Sequence, residues 1–274
     1  MTEKMKRPLL LIGCGKMGGA MLSGWLDSGI TAAGVTVIEP AGAPDFSGNA
    51  SVTVCADASE LGADFDPEAV VFAVKPQQMD AAAPSYARFT GPSTVFLSIA
   101  AGKTIGYFEA QLGAKAAIIR AMPNTPAAIG QGITVLCPNA SVSAAQSVLC
   151  QSLMQAVGEA ETVQDEALID AVTAVSGGGP AYVFLLIECL SEAGVAAGLP
   201  QDLAAQLALS TVAGSGQLAL ASDEPPSKLR ENVTSPGGTT LEALKILMAN
   251  DGLQPLMTRA IAAATERSRE LAGG

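Results

Sequence analysis

A chain of 274 residues, 49% of them apolar and 15% charged, is long enough to bury two cores, and its formal charge of −11 sets it against polyanions, which are held by excess lysine and arginine. There is no histidine, so the commonest general acid/base and the commonest zinc ligand are both missing. A nucleic-acid partner and a metal centre are excluded on these counts, and a small ligand is expected. No run of about 18 uncharged apolar residues is present, so no membrane segment is expected. Five scattered cysteines with no CxxC pair fit a reduced, cytoplasmic setting. Lys4, Lys6 and Arg7 before Leu9 to Ile12 imitate a lipoprotein signal, but the apolar part falls short of the required 7 to 15 or so residues.

Pro8 to Ile12 reads as a strand that ends in Gly13-Cys14-Gly15-Lys16-Met17-Gly18, and an apolar helical pattern through Met21, Leu22 and Trp25 follows to Gly29. A second strand, Gly34 to Ile38, ends at Glu39, about 20 residues on from Gly18. That is the offset at which a dinucleotide fold places an acid against the adenosine ribose, with the glycines allowing close approach to the pyrophosphate. The alternation continues through a strand at Val52 to Val54, a helix around Ala58, and a strand from Ala69 to Val74 that stops at Lys75-Pro76, where proline forbids further pairing. Thr94 to Ile99 runs into Ala100-Ala101-Gly102, and Ala117 to Ile119 into a loop at Arg120 to Pro126. In a parallel open sheet these ends share one crevice, so Lys75, Ala100 and Asn124 are expected beside the glycine turn. Lys75 reads equally as a solvated lysine after a strand. Gln131 to Cys137 and Gly158 to Val163, on either side of a helix from Ser143 to Ala156, complete the sheet.

Near Gln164 the strands give way to helical periodicity, which divides the chain into a dinucleotide-binding domain at 1–163 and a helical domain at 164–274. The helix from Pro180 to Ala197 is apolar nearly all round apart from Glu188 and Glu192. A helix of that kind is buried on every side, and in a domain this small a second subunit is expected to cover it. A further helix runs from Pro200 to about Ala221. Ser235-Pro236-Gly237-Gly238-Thr239-Thr240 then opens a helix to Asn250 whose first amides form a cup for a small carboxylate. The same residues also read as ordinary turn chemistry, with Thr239 and Glu242 as a capping box. Leu253, Leu256, Met257, Ile261 and Ala264 stripe the last helix.

Ala174 to Phe184, with its Ser176-Gly177-Gly178-Gly179-Pro180 core, and Val233 to Thr240 resemble the two signature segments of the pyrroline-5-carboxylate reductase family. Ile12 to Gly18, Ala73-Val74-Lys75-Pro76 and Met122 to Pro126 resemble the same family in its order and spacing. The resemblance covers essentially the whole chain. It implies an α/β architecture, with an N-terminal Rossmann-type doubly wound sheet and an all-α C-terminal domain intertwined in a homodimer, and with rings of dimers such as a decamer. It also implies reduction of 1-pyrroline-5-carboxylate to L-proline by NAD(P)H. For the cofactor, the resemblance implicates Gly13, Gly15, Lys16, Met17, Gly18, Glu39, Ala73, Val74, Lys75, Pro76, Ala100, Asn124 and Asn232. For the substrate it implicates Glu166, Ser235, Gly237, Gly238, Thr239 and Thr240, with the Thr240 hydroxyl on the ring nitrogen.

Two departures stand out. Gly178 replaces the family's usual serine. Glu39-Pro40-Ala41 stands where many members carry arginine and serine for the 2′-phosphate of NADPH, so NADH is expected to serve at least as well. The rival readings are a β-hydroxyacid dehydrogenase, for which Lys228 and Lys245 are the available lysines, and a non-catalytic dinucleotide sensor.

Overall fold

A computed structural model describes residues 4–273. One eight-stranded sheet runs in the order β3-β2-β1-β4-β5-β6-β7-β8, formed by β1 (Leu9–Ile12), β2 (Val35–Ile38), β3 (Val52–Cys55), β4 (Ala69–Phe72), β5 (Val95–Ser98), β6 (Ala117–Met122), β7 (Gly132–Pro138) and β8 (Gly158–Thr162). The first six are parallel. β7 runs antiparallel to β6, and β8 is parallel to β7. The sheet is therefore doubly wound with a reversed edge.

Every residue of β1, β2, β4, β5 and β6 is buried, as strands covered by helices on both faces must be. Period-2 alternation sorts them into two cores. Leu9, Leu11, Val71, Leu97 and Ile119 face α1 (Lys16–Ser28) and α4 (Ala144–Gln155), whereas Leu10, Ile12, Val70, Phe72, Phe96 and Ile118 face Met79, Tyr86 and Phe108. Trp25 is fully buried, and its indole N–H donates to the Leu153 carbonyl at 2.8 Å, tying α1 to α4. The Met79 side belongs to the short α2 (Met79–Ala82) and the Phe108 side to α3 (Ile105–Leu112).

Several sequence expectations need correction. The helix around Ala58 is a single tight turn over Ala58–Glu60, closed by the Asp57 side chain on the Ser59 amide. β4 stops at Phe72, before Val74, and β6 continues to Met122, so Arg120 lies inside a strand.

After α5 (Leu168–Val172) a wide π-type turn, Thr173–Gly177, precedes α6 (Gly179–Ala196). The remaining helices are α7 (Gln201–Ala221), α8 (Pro226–Asn232), α9 (Thr239–Leu247) and α10 (Leu253–Leu271). The chain separates into two compact units, 4–177 together with 264–273, and 178–263. This division falls later than Gln164 and returns the end of α10 to the sheet unit.

Within the second unit α6 packs on α7, with Gly194 against Ala204. The two helices otherwise expose Phe184, Leu185, Leu209, Leu218 and Leu220. Leu168–Ala196 and Gln201–Ala221 have mean hydropathies of 1.4 and 1.2 and are long and apolar enough to cross a membrane. Glu188 and Glu192 in the first, and scattered Gln, Ser and Thr in the second, interrupt the apolar sequence, so neither holds an unbroken apolar run of that length.

Candidate active site

Strand order reverses at β1, whose neighbours β2 and β4 lead away in opposite directions, and a ligand crevice is expected at that point. A cavity of about 550 Å³ opens there, lined by Gly13 and Gly15 after β1, by Glu39 after β2, and by Ala73, Val74 and Lys75 after β4. Gly15 caps α1 in extended conformation with no side-chain hydrogen bond, and no acid lies in the first turn. The first-turn amides and the positive end of the helix are thus available to an anion such as a pyrophosphate.

Gly13 takes φ +91°, and a Cβ on Gly18 would stand 2.3 Å from the Gly13 carbonyl oxygen. Gly18→Ala is therefore expected to displace the turn and weaken NADH binding by at least about tenfold, measured by titration of Trp25 fluorescence; unchanged affinity would mean the turn is not the phosphate cradle.

Glu39 is held in place. Its Oε2 accepts from the Cys14 amide at 2.8 Å and its Oε1 from the Ala41 amide at 3.3 Å, so the carboxylate spans the ends of β1 and β2. Burial, then the Glu39 charge and then Asp45, pushes the Cys14 thiol up to about 11. Lys16 and Lys75 are exposed, Met17 is half-buried, and Pro76 opens a tight turn over Pro76–Gln78.

The structure engages other expected residues elsewhere. Ala100 is buried at 3% exposure among the Phe108 core, so its side chain does not line the cavity. Asn124 accepts from the Ile133 amide at 2.9 Å and donates to the Ser176 hydroxyl at 3.3 Å, a brace between β7 and the π-type turn. Glu166 Oε1 takes both the Arg120 guanidinium at 2.9 Å and the Ile105 amide at 2.8 Å. Asn232, at the end of α8, donates to Glu224 at 2.9 Å.

In the second unit the Gly238 amide closes a turn on the Ser235 carbonyl at 3.0 Å and is not an open donor. Gly238 itself caps α9 with no side-chain bond, which overturns the capping box, since Glu242 pairs with Lys245 at 2.6 Å. α9 ends at Leu247, short of Asn250. The amides of Thr239 and Thr240 lie in the first turn, where a helix offers no internal acceptor, and both residues are exposed. Lys228 and Lys245 form surface ion pairs with Glu231 and Glu242, so neither is poised as an acid/base.

Arg120 was missed by sequence reasoning. It is 2% exposed, paired with Glu166 and 4.0 Å from Asp170, while Nε and Nη2 have no hydrogen-bond partner. Ser268 on α10 donates to Asp170 at 2.7 Å. An arginine between apolar residues in Ala-Ile-Ile-Arg-Ala-Met was the available signal, because a buried guanidinium requires carboxylates.

Residues 166–271 match the family model described as pyrroline-5-carboxylate reductase dimerisation, and residues 9–102 match that of coenzyme F420-dependent NADP oxidoreductases. The chain is 43% identical to a pyrroline-5-carboxylate reductase of Pseudomonas aeruginosa over 267 residues, 96% of each chain. It is 35% identical to that of Escherichia coli, covering 97% of this chain and 99% of the relative. A solved reductase of Coxiella burnetii aligns with TM-score 0.89 at 33% identity over 99% of both chains. The Plasmodium falciparum pyrroline carboxylate reductase with NADP bound aligns with TM-score 0.82 at 30% identity, over 98% of this chain and 99% of that one.

Proposed function

The chain belongs to the pyrroline-5-carboxylate reductase family, and from that premise we infer that it is an NAD(P)H-dependent oxidoreductase reducing 1-pyrroline-5-carboxylate to L-proline, the last step of proline biosynthesis. The observation that carries this is end-to-end similarity: the relative from Pseudomonas aeruginosa aligns over 96% of both chains, so cofactor and substrate halves are matched together.

The chemistry agrees with the residues. A cyclic imine binds protonated, so its carbon is already electrophilic and no histidine is needed to polarise it. The dinucleotide, when bound, supplies hydride from nicotinamide C4. The protein's part is to hold, orient and exclude water. In our reading the amides of Gly237, Thr239 and Thr240 bind the substrate carboxylate, the Thr240 hydroxyl bonds the ring nitrogen, and Ser235 shapes the turn through its carbonyl. Glu166, fixed by Arg120, contributes negative charge that favours an iminium. The reaction is placed in the cytoplasm, and the apolar faces of α6 and α7 are covered by a second copy of the chain.

Glu39 sets the cofactor preference in this reading, because its pinned carboxylate accepts ribose hydroxyls and repels a 2′-phosphate. Initial rates with 1-pyrroline-5-carboxylate are expected to show kcat/KM for NADH at least equal to that for NADPH. Glu39→Ala is expected to shift the ratio toward NADPH by about tenfold, some 1.4 kcal/mol. An NADPH advantage that exists already in the wild type and is unmoved in the variant would refute the role of Glu39. No turnover with either dinucleotide would refute the activity.

A further inference from the structure

The end of α10 and the cofactor cavity are joined by a series of contacts inside the sheet unit. Ser268 is 6% exposed and donates to Asp170, itself 9% exposed, at 2.7 Å. One turn on, Leu271 lies against Gly102 in the loop after β5. Gly102 has φ +72°, and a Cβ there would stand 2.9 Å from the Leu271 carbonyl oxygen and 3.1 Å from its Cβ, so the loop and the helix end fit only with glycine between them.

The next residue carries the contact onward. Lys103 Nζ donates to Asp80 Oδ1 at 2.8 Å, the Tyr107 hydroxyl donates to the same oxygen at 2.7 Å, and the ammonium sits 4.1 Å from the centre of the Tyr107 ring. The hydrogen bond from Lys103, and then that from Tyr107, hold the Asp80 carboxyl below its usual range, so the contact is between charged groups at neutral pH. Asp80 belongs to α2, whose Ala81 and Ala82 line the cavity with Gly13, Glu39 and Lys75. A pair this exposed on the aspartate side contributes little to stability. Its geometry nevertheless ties Asp80 of α2 to the loop through Lys103 and to α3 through Tyr107.

We propose that the last turn of α10 is a positioning element for the cofactor: pinned by Ser268 on Asp170, it sets the loop at Gly102, and Lys103 with Tyr107 sets the α2 wall of the cavity through Asp80. Neither Ser268 nor Lys103 lines the cavity, and both act through α2. The proposal rests on the cavity being the dinucleotide site.

The test uses the full chain and the dissociation constant of NADH, read from quenching of Trp25, the only tryptophan. Ser268→Ala and Lys103→Met are each expected to weaken NADH binding about three- to tenfold. The double variant is expected to bind no more weakly than the worse single, because the two lie on one path. Ser268→Thr and Lys103→Arg keep their donors and are expected to stay within about twofold of wild type, and KM for the imine is expected to be unmoved in all four. Affinity unchanged in either Ser268→Ala or Lys103→Met, or effects that multiply in the double, would overturn the proposal. Should Ser268→Ala fail to fold, Lys103→Met decides it alone with the conservative arginine as control. A wild-type protein that binds no NADH would instead count against the cofactor reading.

Discussion

Replacing Arg120 by methionine is expected to destabilise the sheet unit by about 3 kcal/mol and to lower its thermal midpoint by about 6–12 °C. The guanidinium is 2% exposed and compensates two carboxylates, Glu166 at 2.9 Å and Asp170 at 4.0 Å; without it both remain without a counter-charge at the foot of α5. Breaking a buried pair from one side costs about 3–5 kcal/mol. The low end applies here, because Glu166 retains 29% exposure and can be rehydrated, and because Nε and Nη2 have no hydrogen bonds to lose. Trp25 fluorescence follows this unit alone, since the residue is fully buried between α1 and α4. A midpoint within 2 °C or so of wild type would show that methionine packing offsets the lost pair, as it does where desolvation dominates.

Thr240→Ala is expected to have the largest effect on turnover, lowering kcat with 1-pyrroline-5-carboxylate by about 10²-fold while the dissociation constant of NADH stays within about twofold. Thr240 lies in the first turn of α9, remote in sequence from the glycine turn, so substrate orientation and cofactor affinity are expected to separate cleanly. The imine must meet the nicotinamide in one orientation, and a lost bond to the ring nitrogen leaves it free to rotate about its carboxylate. Wild-type kcat in the variant would remove Thr240 from the chemistry and leave the amides of the turn as the whole substrate contact. A parallel loss of NADH affinity would point instead to collapse of the site.

The cofactor half was legible because its chemistry is local. Gly13 and Gly15 at fixed offsets and an acid at the end of β2 are each dictated by backbone geometry within a few residues, and all three border the cavity. What stayed hidden depends on partners distant in sequence. Arg120 reads as a loop residue until Glu166 and Asp170 are seen beside it, and strand pairing with Cys137 of β7 carries β6 past the point where its apolar run breaks. Ala100 follows a strand and so looked like crevice lining, but it is buried in the core cluster that also holds Phe108. Asn124 has the polarity of a ligand contact, but the Ile133 amide and Ser176 hydroxyl engage it. The capping box failed for a local reason: Gly238, one residue earlier than Thr239, takes the extended cap position. The exposed apolar faces of α6 and α7 were legible as an excess of burial need over what one domain supplies, and they lie within residues 166–271, which match a dimerisation domain.

The bond between Ser268 and Asp170 spans 98 residues, so it also sets an order of events at the ribosome. At about 5–20 residues per second, some 5–20 seconds separate the synthesis of Asp170 from that of its partner. During that interval β1 to β8 can pair and bury their two cores, but the floor beneath Gly102 is missing and the second unit must be made first. The nascent nucleotide fold thus waits, nearly complete, for a closing turn delivered by the last helix. Substitutions in α10 are expected to act late in biogenesis, after the sheet has already formed.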